Sequence, residues 1–178
     1  PKKQIVVSRS FGERVSDLKT LKPIVSNFAV RAAEKLRYEK RKCSQVSVFV
    51  RTSPFNQNKP QHSGIKTIEL FTPTNDTRDI LTATKKGLLP IFKSGYDYAK
   101  AGIILNKFSD ETIRQQLLFK DPNSPKENTE FMRYIDKMNA YETQVYFASQ
   151  NTKKWSPMKQ NMTSPKYTTN WHQLPVVN

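Results

Sequence analysis

Gln45-Val46-Ser47-Val48-Phe49-Val50-Arg51 sets valine at every second position, with polar residues at most of the positions between. A period of two is the mark of a β-strand with one buried face, because successive side chains point to opposite sides of the backbone. Phe49 falls on the outer register, so that side is not purely hydrophilic. Ser53-Pro54 ends the strand, and residues 56–64 read as a polar loop. Upstream, Leu21, Ile24, Val25, Phe28, Ala29, Ala32 and Leu36 recur at steps of one, three and four. That spacing predicts a helix from Leu18 to Lys42, capped by Ser16 or Asp17. Pro23 falls near its first turn, where proline costs least, and Arg37, Lys40, Arg41 and Lys42 suit the negative end of its dipole. A short strand at Ile5–Ser10 precedes the helix, with Gly12 as its break. Downstream, Ile65–Thr72 reads as a strand with Ile68 and Leu70 inward. Asp76 or Thr77 caps a second helix running to about Lys93, striped by Ile80, Leu81, Thr84, Leu88, Ile91 and Phe92; Pro90 should kink or shorten it. Tyr98–Phe108 is a strand with Ala101, Ile103 and Leu105 on one face. The order is β-α-β-β-α-β. Two amphipathic helices covering one face of a four-stranded sheet make an α+β two-layer domain and leave the other face open.

The chain has 178 residues, with 30 basic and 15 acidic side chains, a formal net charge of +15. Residues 1–108 carry 21 basic and 8 acidic residues, and residues 109–178 carry 9 and 7. Leu, Ile, Val and Phe make up about 29% of the first segment and about 16% of the second, on either side of the ~20% below which a chain struggles to build a core. The excess positive charge therefore belongs to the part that folds best, and such a surface attracts phosphate chains by releasing their counterions. No apolar run approaches the ~18 residues of a membrane span, and no secretory signal follows Pro1-Lys2-Lys3. Cys43 is the single cysteine, and His62 and His172 lie far apart, which disfavours a disulfide framework or a metal enzyme.

The same order of elements occurs in RNA-recognition modules, which stack bases on aromatic residues of the third strand. Here that strand, Gly64-Ile-Lys-Thr-Ile-Glu-Leu-Phe71, ends in its only aromatic, so backbone binding fits better than base stacking. A stand-alone RNA-binding module remains an alternative.

Several blocks, in order along the chain, resemble the C-terminal part of UmuC-type Y-family translesion DNA polymerases. They are Ser8-Arg-Ser-Phe-Gly-Glu-Arg-Val15, Arg31-Ala-Ala-Glu-Lys-Leu-Arg37, Phe49-Val-Arg-Thr-Ser-Pro-Phe55, Pro73-Thr-Asn-Asp-Thr-Arg-Asp-Ile80, Tyr98-Ala-Lys-Ala-Gly102, Met138-Asn-Ala140, Val145-Tyr-Phe-Ala148 and Ser164-Pro-Lys-Tyr-Thr-Thr169. The resemblance implies a little-finger DNA-binding domain at 1–108, a linker with a clamp-binding motif at 109–127, and a UmuC-type extension at 128–178. The polymerising carboxylates and their Mg2+ belong to a palm that would precede residue 1, so no catalytic centre and no cofactor is expected in this chain. Asp76 and Asp79 read as a helix cap and a first-turn dipole partner, and Asp110-Glu111 as a solvated turn. The opening at Pro1 fits an excised fragment, a natural truncation acting as a competitor for partners, or loss of an initiator methionine.

By position in the matched motifs, the resemblance assigns DNA-backbone contacts to Ser8, Arg9, Ser10, Arg14, Arg51, Thr52, Lys66 and Lys100, with Lys66 and Lys100 on neighbouring strands. Charged and hydroxyl groups of this kind hold phosphates without reading sequence. Gln115-Gln116-Leu117-Leu118-Phe119 resembles the pentapeptide by which bacterial polymerases dock on the β sliding clamp, with Gln115 for a polar subsite, Leu118 and Phe119 for an apolar pocket, and Gln116 where the pattern prefers leucine. Its bland reading is a helical turn packing Leu117, Leu118 and Phe119, with Ile113, on the domain. The resemblance also implies a UmuD-type accessory subunit and RecA as partners, a role in SOS mutagenesis, and a cytoplasmic, nucleoid-associated location without a membrane. In the last third, Phe131, Tyr134, Ile135 and Met138 predict a helix over 130–138, and Thr143–Ala148 a strand. Trp155 and Trp171 are interface anchors or fold back on the domain; the sequence does not choose.

Overall fold

The computed structural model describes residues 2–56, 58–112, 128–141, 145–150 and 164–174. Its elements are β1 (Ile5–Val15), α1 (Leu18–Tyr38), β2 (Arg41–Thr52), β3 (Ser63–Thr74), α2 (Thr77–Ile91), β4 (Tyr98–Asp110), α3 (Thr129–Ala140) and a 3-10 turn at Trp171–Gln173. The four strands form one antiparallel sheet in the order β1-β4-β2-β3. Helices α1 and α2 pack side by side on one face, α1 over β1 and β4, α2 over β2 and β3. The architecture is the expected α+β two-layer domain.

The periodicities place the core. Val46, Val48 and Val50 are buried, as are Ala101, Ile103 and Leu105 opposite them on β4. The α1 stripe from Leu21 to Leu36 is buried along its length, and α2 contributes Ile80, Leu81, Leu88 and Ile91. Asp17 caps α1 by accepting from the Thr20 N–H (2.7 Å), and Asp76 caps α2 by accepting from the Arg78 N–H (2.8 Å). Pro90 is the last residue but one of α2, so it shortens the helix rather than bending it.

Four expectations need correction. β1 does not stop at Gly12. It runs to Val15 through an irregularity between Ser10 and Val15, and Phe11 and Val15 on either side of Gly12 are both buried in the core. α1 ends at Tyr38, short of Lys42. Lys40 adopts a left-handed conformation (φ 52°), and Arg41 and Lys42 then open β2, paired with Asp110 and Ser109. β3 and β4 are not neighbours, since β2 lies between them. In α3 the buried residues are Met132 and Ile135, while Phe131, Tyr134 and Met138 face outward. Its predicted stripe mixed two faces.

Residues 145–150 do not form a strand. Asn139 at the end of α3 holds Val145, accepting from its N–H (2.6 Å) and donating to its carbonyl (3.2 Å). Gln150 then donates to Asn27 Oδ1 of α1 (3.1 Å), and Phe147 packs against the core. Residues 145–150 therefore lie against the helical layer. Trp171 is 86% exposed, so it does not fold back; Trp155 and Thr143 lie outside the described residues.

Candidate nucleic-acid interface

Directly opposed residues in an antiparallel sheet point to the same side, so register assigns each side chain to a face. On the side away from the helices, Ser10, Lys100, Arg51 and Ser63 form one row across all four strands. Ser8, Gly102, Phe49 and Ile65 form the next row, and Val6, Ile104, Ser47 and Thr67 the third. The first row is polar and cationic, the second is apolar at its centre, and in the third Ser47 and Thr67 share a hydroxyl–hydroxyl bond (2.8 Å). Glu69 lies further along this face. It accepts from Lys107 (2.8 Å) and Gln45 (3.1 Å), bonds that hold its carboxyl below the usual glutamate value and neutralise the anion locally. Acidic groups do not dominate this surface.

Gly102 shapes the second row. A Cβ there would lie 2.6 Å from the Phe49 ring and closer still to the Ser8 Cβ, so the absence of a side chain leaves room for the ring over β4 beside Ser8. The serine, lysine and arginine of the first row stand beside it.

The eight residues assigned to DNA divide by register. Ser8, Ser10, Arg51 and Lys100 come together on the open face. Arg9 is exposed but opposes Ala101, so it belongs to the helix side of the edge strand β1. Lys66 opposes the core residue Val48 and lies on the helix side of the other edge, two strands from Lys100. Arg14 is exposed within the irregular end of β1. Thr52 is buried: its hydroxyl accepts from the His62 N–H (3.0 Å), and its own N–H donates to the His62 carbonyl (2.9 Å). Ser63 was missed, because a serine after a polar loop has no local signal; only the pairing with Arg51 places it in the row. Gln115, Gln116, Leu117, Leu118 and Phe119 lie outside the described residues.

Asp76 and Asp79 are engaged structurally. Asp76 holds Arg78 (2.6 Å), and Asp79 accepts from the Thr74 hydroxyl (2.9 Å). Asp110 accepts from the Thr112 N–H and hydroxyl in a turn, and those bonds lower its carboxyl below the usual range. Among the described residues no group of His, Cys, Asp or Glu is arranged to hold a metal ion, and no helix is long and apolar enough to cross a membrane.

Residues 2–118 match the model of the impB/mucB/samB family C-terminal domain, and residues 129–177 match a domain of unknown function, DUF4113. Protein UmuC of Salmonella typhimurium (strain LT2) is 42% identical over 176 residues, covering 97% of this chain. Protein ImpB of Salmonella typhimurium is 41% identical and Protein MucB of Escherichia coli 40% identical, each over 98% of this chain. This chain spans only 42%, 42% and 41% of those three relatives. Among solved structures, the complex of β-clamp processivity factor and little finger domain of PolIV aligns with a TM-score of 0.45 at 13% identity, covering 65% of this chain and 97% of that one. The resemblance carried by the sequence blocks thus extends along nearly the whole chain, and the protein belongs to the impB/mucB/samB family, whose C-terminal domain it carries.

Proposed function

We propose that this chain is the DNA-backbone-binding and clamp-tethering part of an error-prone translesion polymerase acting in SOS mutagenesis. The observation that carries the reading is the open sheet face, where Ser10, Lys100, Arg51 and Ser63 line one row beside the Phe49 ring. Arginine and lysine supply charge, and the serine hydroxyls supply oriented bonds to phosphate oxygens. Contacts of this type carry no base code, which suits an enzyme that passes damaged templates of any sequence. Family membership supports the assignment to a polymerase, and the pattern Gln115-Gln-Leu-Leu-Phe119 supports docking on a β sliding clamp. By the same relationship a UmuD-type subunit and RecA are its further partners, in the bacterial cytoplasm. Chemistry stays with a palm elsewhere in the polymerase, where Mg2+ acts.

Binding of the chain to primer–template DNA, measured across a salt series, tests the reading. With about five phosphates neutralised, log K against log salt should fall with a slope of about −4 to −5. Salt-independent affinity, or tighter binding to single-stranded RNA than to primer–template DNA, overturns it. For the clamp, Leu118→Ala with Phe119→Ala should abolish clamp binding while the domain stays folded; an unchanged clamp titration removes that part.

A further inference from the structure

The strand directions place the charge at one end of the molecule. β1 and β2 both run antiparallel to β4, so they run the same way, and α1 between them runs back. β3 and β4 run the other way, so α2 is antiparallel to α1. The bond from Arg37 near the end of α1 to Thr77 at the start of α2 (2.9 Å) fits that arrangement. The start of α1 and the end of α2 therefore lie at the same end of the domain as the row Ser10, Lys100, Arg51 and Ser63.

Tyr98 ties this end together. Its Cα pairs with Val15, three residues before α1, and with Thr52 at the end of β2. Its hydroxyl accepts from the Lys93 N–H (2.8 Å) just past α2 and lies 3.2 Å from His62 Nδ1. Around this hub Lys19 and Lys22 are exposed on the first turns of α1, Lys86 on the second half of α2 and Lys93 just past its end. Among the described residues none of these four side chains is in an ion pair; of the acids at this end Asp17 caps α1 and Asp97 holds Lys59 (2.5 Å), while Glu13 is exposed on β1, so four lysines face one unengaged carboxylate. Glu34, Glu39, Glu69, Asp76 and Asp79 belong to the opposite end. Helix α1 carries a net excess of basic residues, as does α2, so the positive charge is not confined to the sheet.

We infer that the phosphate-binding surface turns over this end onto the helical layer, where Lys19, Lys22, Lys86 and Lys93 hold a second stretch of sugar–phosphate backbone. This rests on the DNA-binding reading above and extends it to a face that the open-sheet argument leaves unused. The second stretch is either the other strand of the duplex or the single-stranded template beyond it; the chemistry is the same.

Fluorescence anisotropy of the whole chain, on a blunt duplex and on a primer–template with a single-stranded overhang, separates the possibilities. Lys86→Gln/Lys93→Gln and Lys19→Gln/Lys22→Gln should each weaken binding about 3- to 10-fold at low salt and make the salt slope shallower by about 1 to 2. A loss on both probes assigns the duplex strand, and a loss on the overhang probe alone assigns the template. Lys3→Gln/Lys35→Gln removes the same charge from the opposite end and should change the slope far less. Equal effects from that control, or wild-type behaviour of both end pairs while Arg51→Gln/Lys100→Gln weakens binding, overturn this inference and leave the open-sheet reading standing. No binding by the unaltered chain on either probe overturns both.

Discussion

Arg37 on α1 and Asp136 on α3 form a two-pronged ion pair, Nε to Oδ2 and Nη2 to Oδ1, each at 2.6 Å. The Arg37 side chain is only 2% exposed, and its Nη1 donates to the Asn75 carbonyl (2.7 Å) and the Thr77 hydroxyl (2.9 Å). One guanidinium thus joins α1, the start of α2 and the C-terminal extension. Arginine suits the position because its planar fork satisfies several acceptors in fixed directions.

Removing the acid should loosen the extension. Asp136→Asn leaves a buried guanidinium short of its counter-charge, a loss of about 1–3 kcal/mol since two neutral acceptors remain. Hydrogen exchange should accelerate in α3 while the strand amides stay protected. Uniform acceleration across the sheet would show that α3 is integral to the core instead.

α3 also tests which face is docked. Met132→Ala or Ile135→Ala should destabilise docking by about 2–4 kcal/mol, the usual cost of truncating a buried side chain. Phe131→Ser and Tyr134→Ser, on the exposed side, should leave the melting temperature within a degree or two. A larger effect from the outer pair would reverse the assignment.

Gly102→Ala should displace the Phe49 ring. The added methyl meets the ring at 2.6 Å and also approaches Ser8, so the cost is about 1–3 kcal/mol. Adding Phe49→Ala should recover part of that loss. Thermal melts of the two single variants and the pair give the coupling, and strict additivity would contradict the packing described.

Cys43 is fully buried, and burial pushes its thiol up to about 12. The thiolate is the reactive form, so a thiol-specific reagent near pH 8 should label the folded chain negligibly and the unfolded chain rapidly. Fast labelling under native conditions would contradict the placement.

His62 sits beside Tyr98, where burial and then the charge of Lys93 lower its proton affinity below the ordinary histidine value. A lowered folded-state pKa favours the native state when the ring is neutral, so this small contribution is complete above about pH 6.5 and is lost as the pH falls through the folded value. NMR titration should place the His62 midpoint below the ordinary histidine value, and a midpoint at or above it would contradict the placement.

Much of this architecture is written locally. The alternation of Val46, Val48 and Val50, the stripe from Leu21 to Leu36, and the caps at Asp17 and Asp76 lie within a few residues of what they control, so reading along the chain finds them. The limits of elements were harder. Lys40 turns the chain in a left-handed conformation that basic composition does not announce, and Gly12 marks an irregularity where a break was expected.

The site depended on pairing between residues distant in sequence. Serine, lysine and arginine at positions 10, 100 and 51 were legible as candidates, but their meeting in one row follows from β4 lying between β1 and β2. The same strand order sends Lys66 to the far edge and brings Ser63 in. Arg37 reads as one more basic residue near a helix end, and only the packing of α1, α2 and α3 makes it a buried anchor. Periodicity specifies which side of its own element a residue occupies; which element it then faces is decided by long-range contacts, whose energies appear only once the chain has closed on itself.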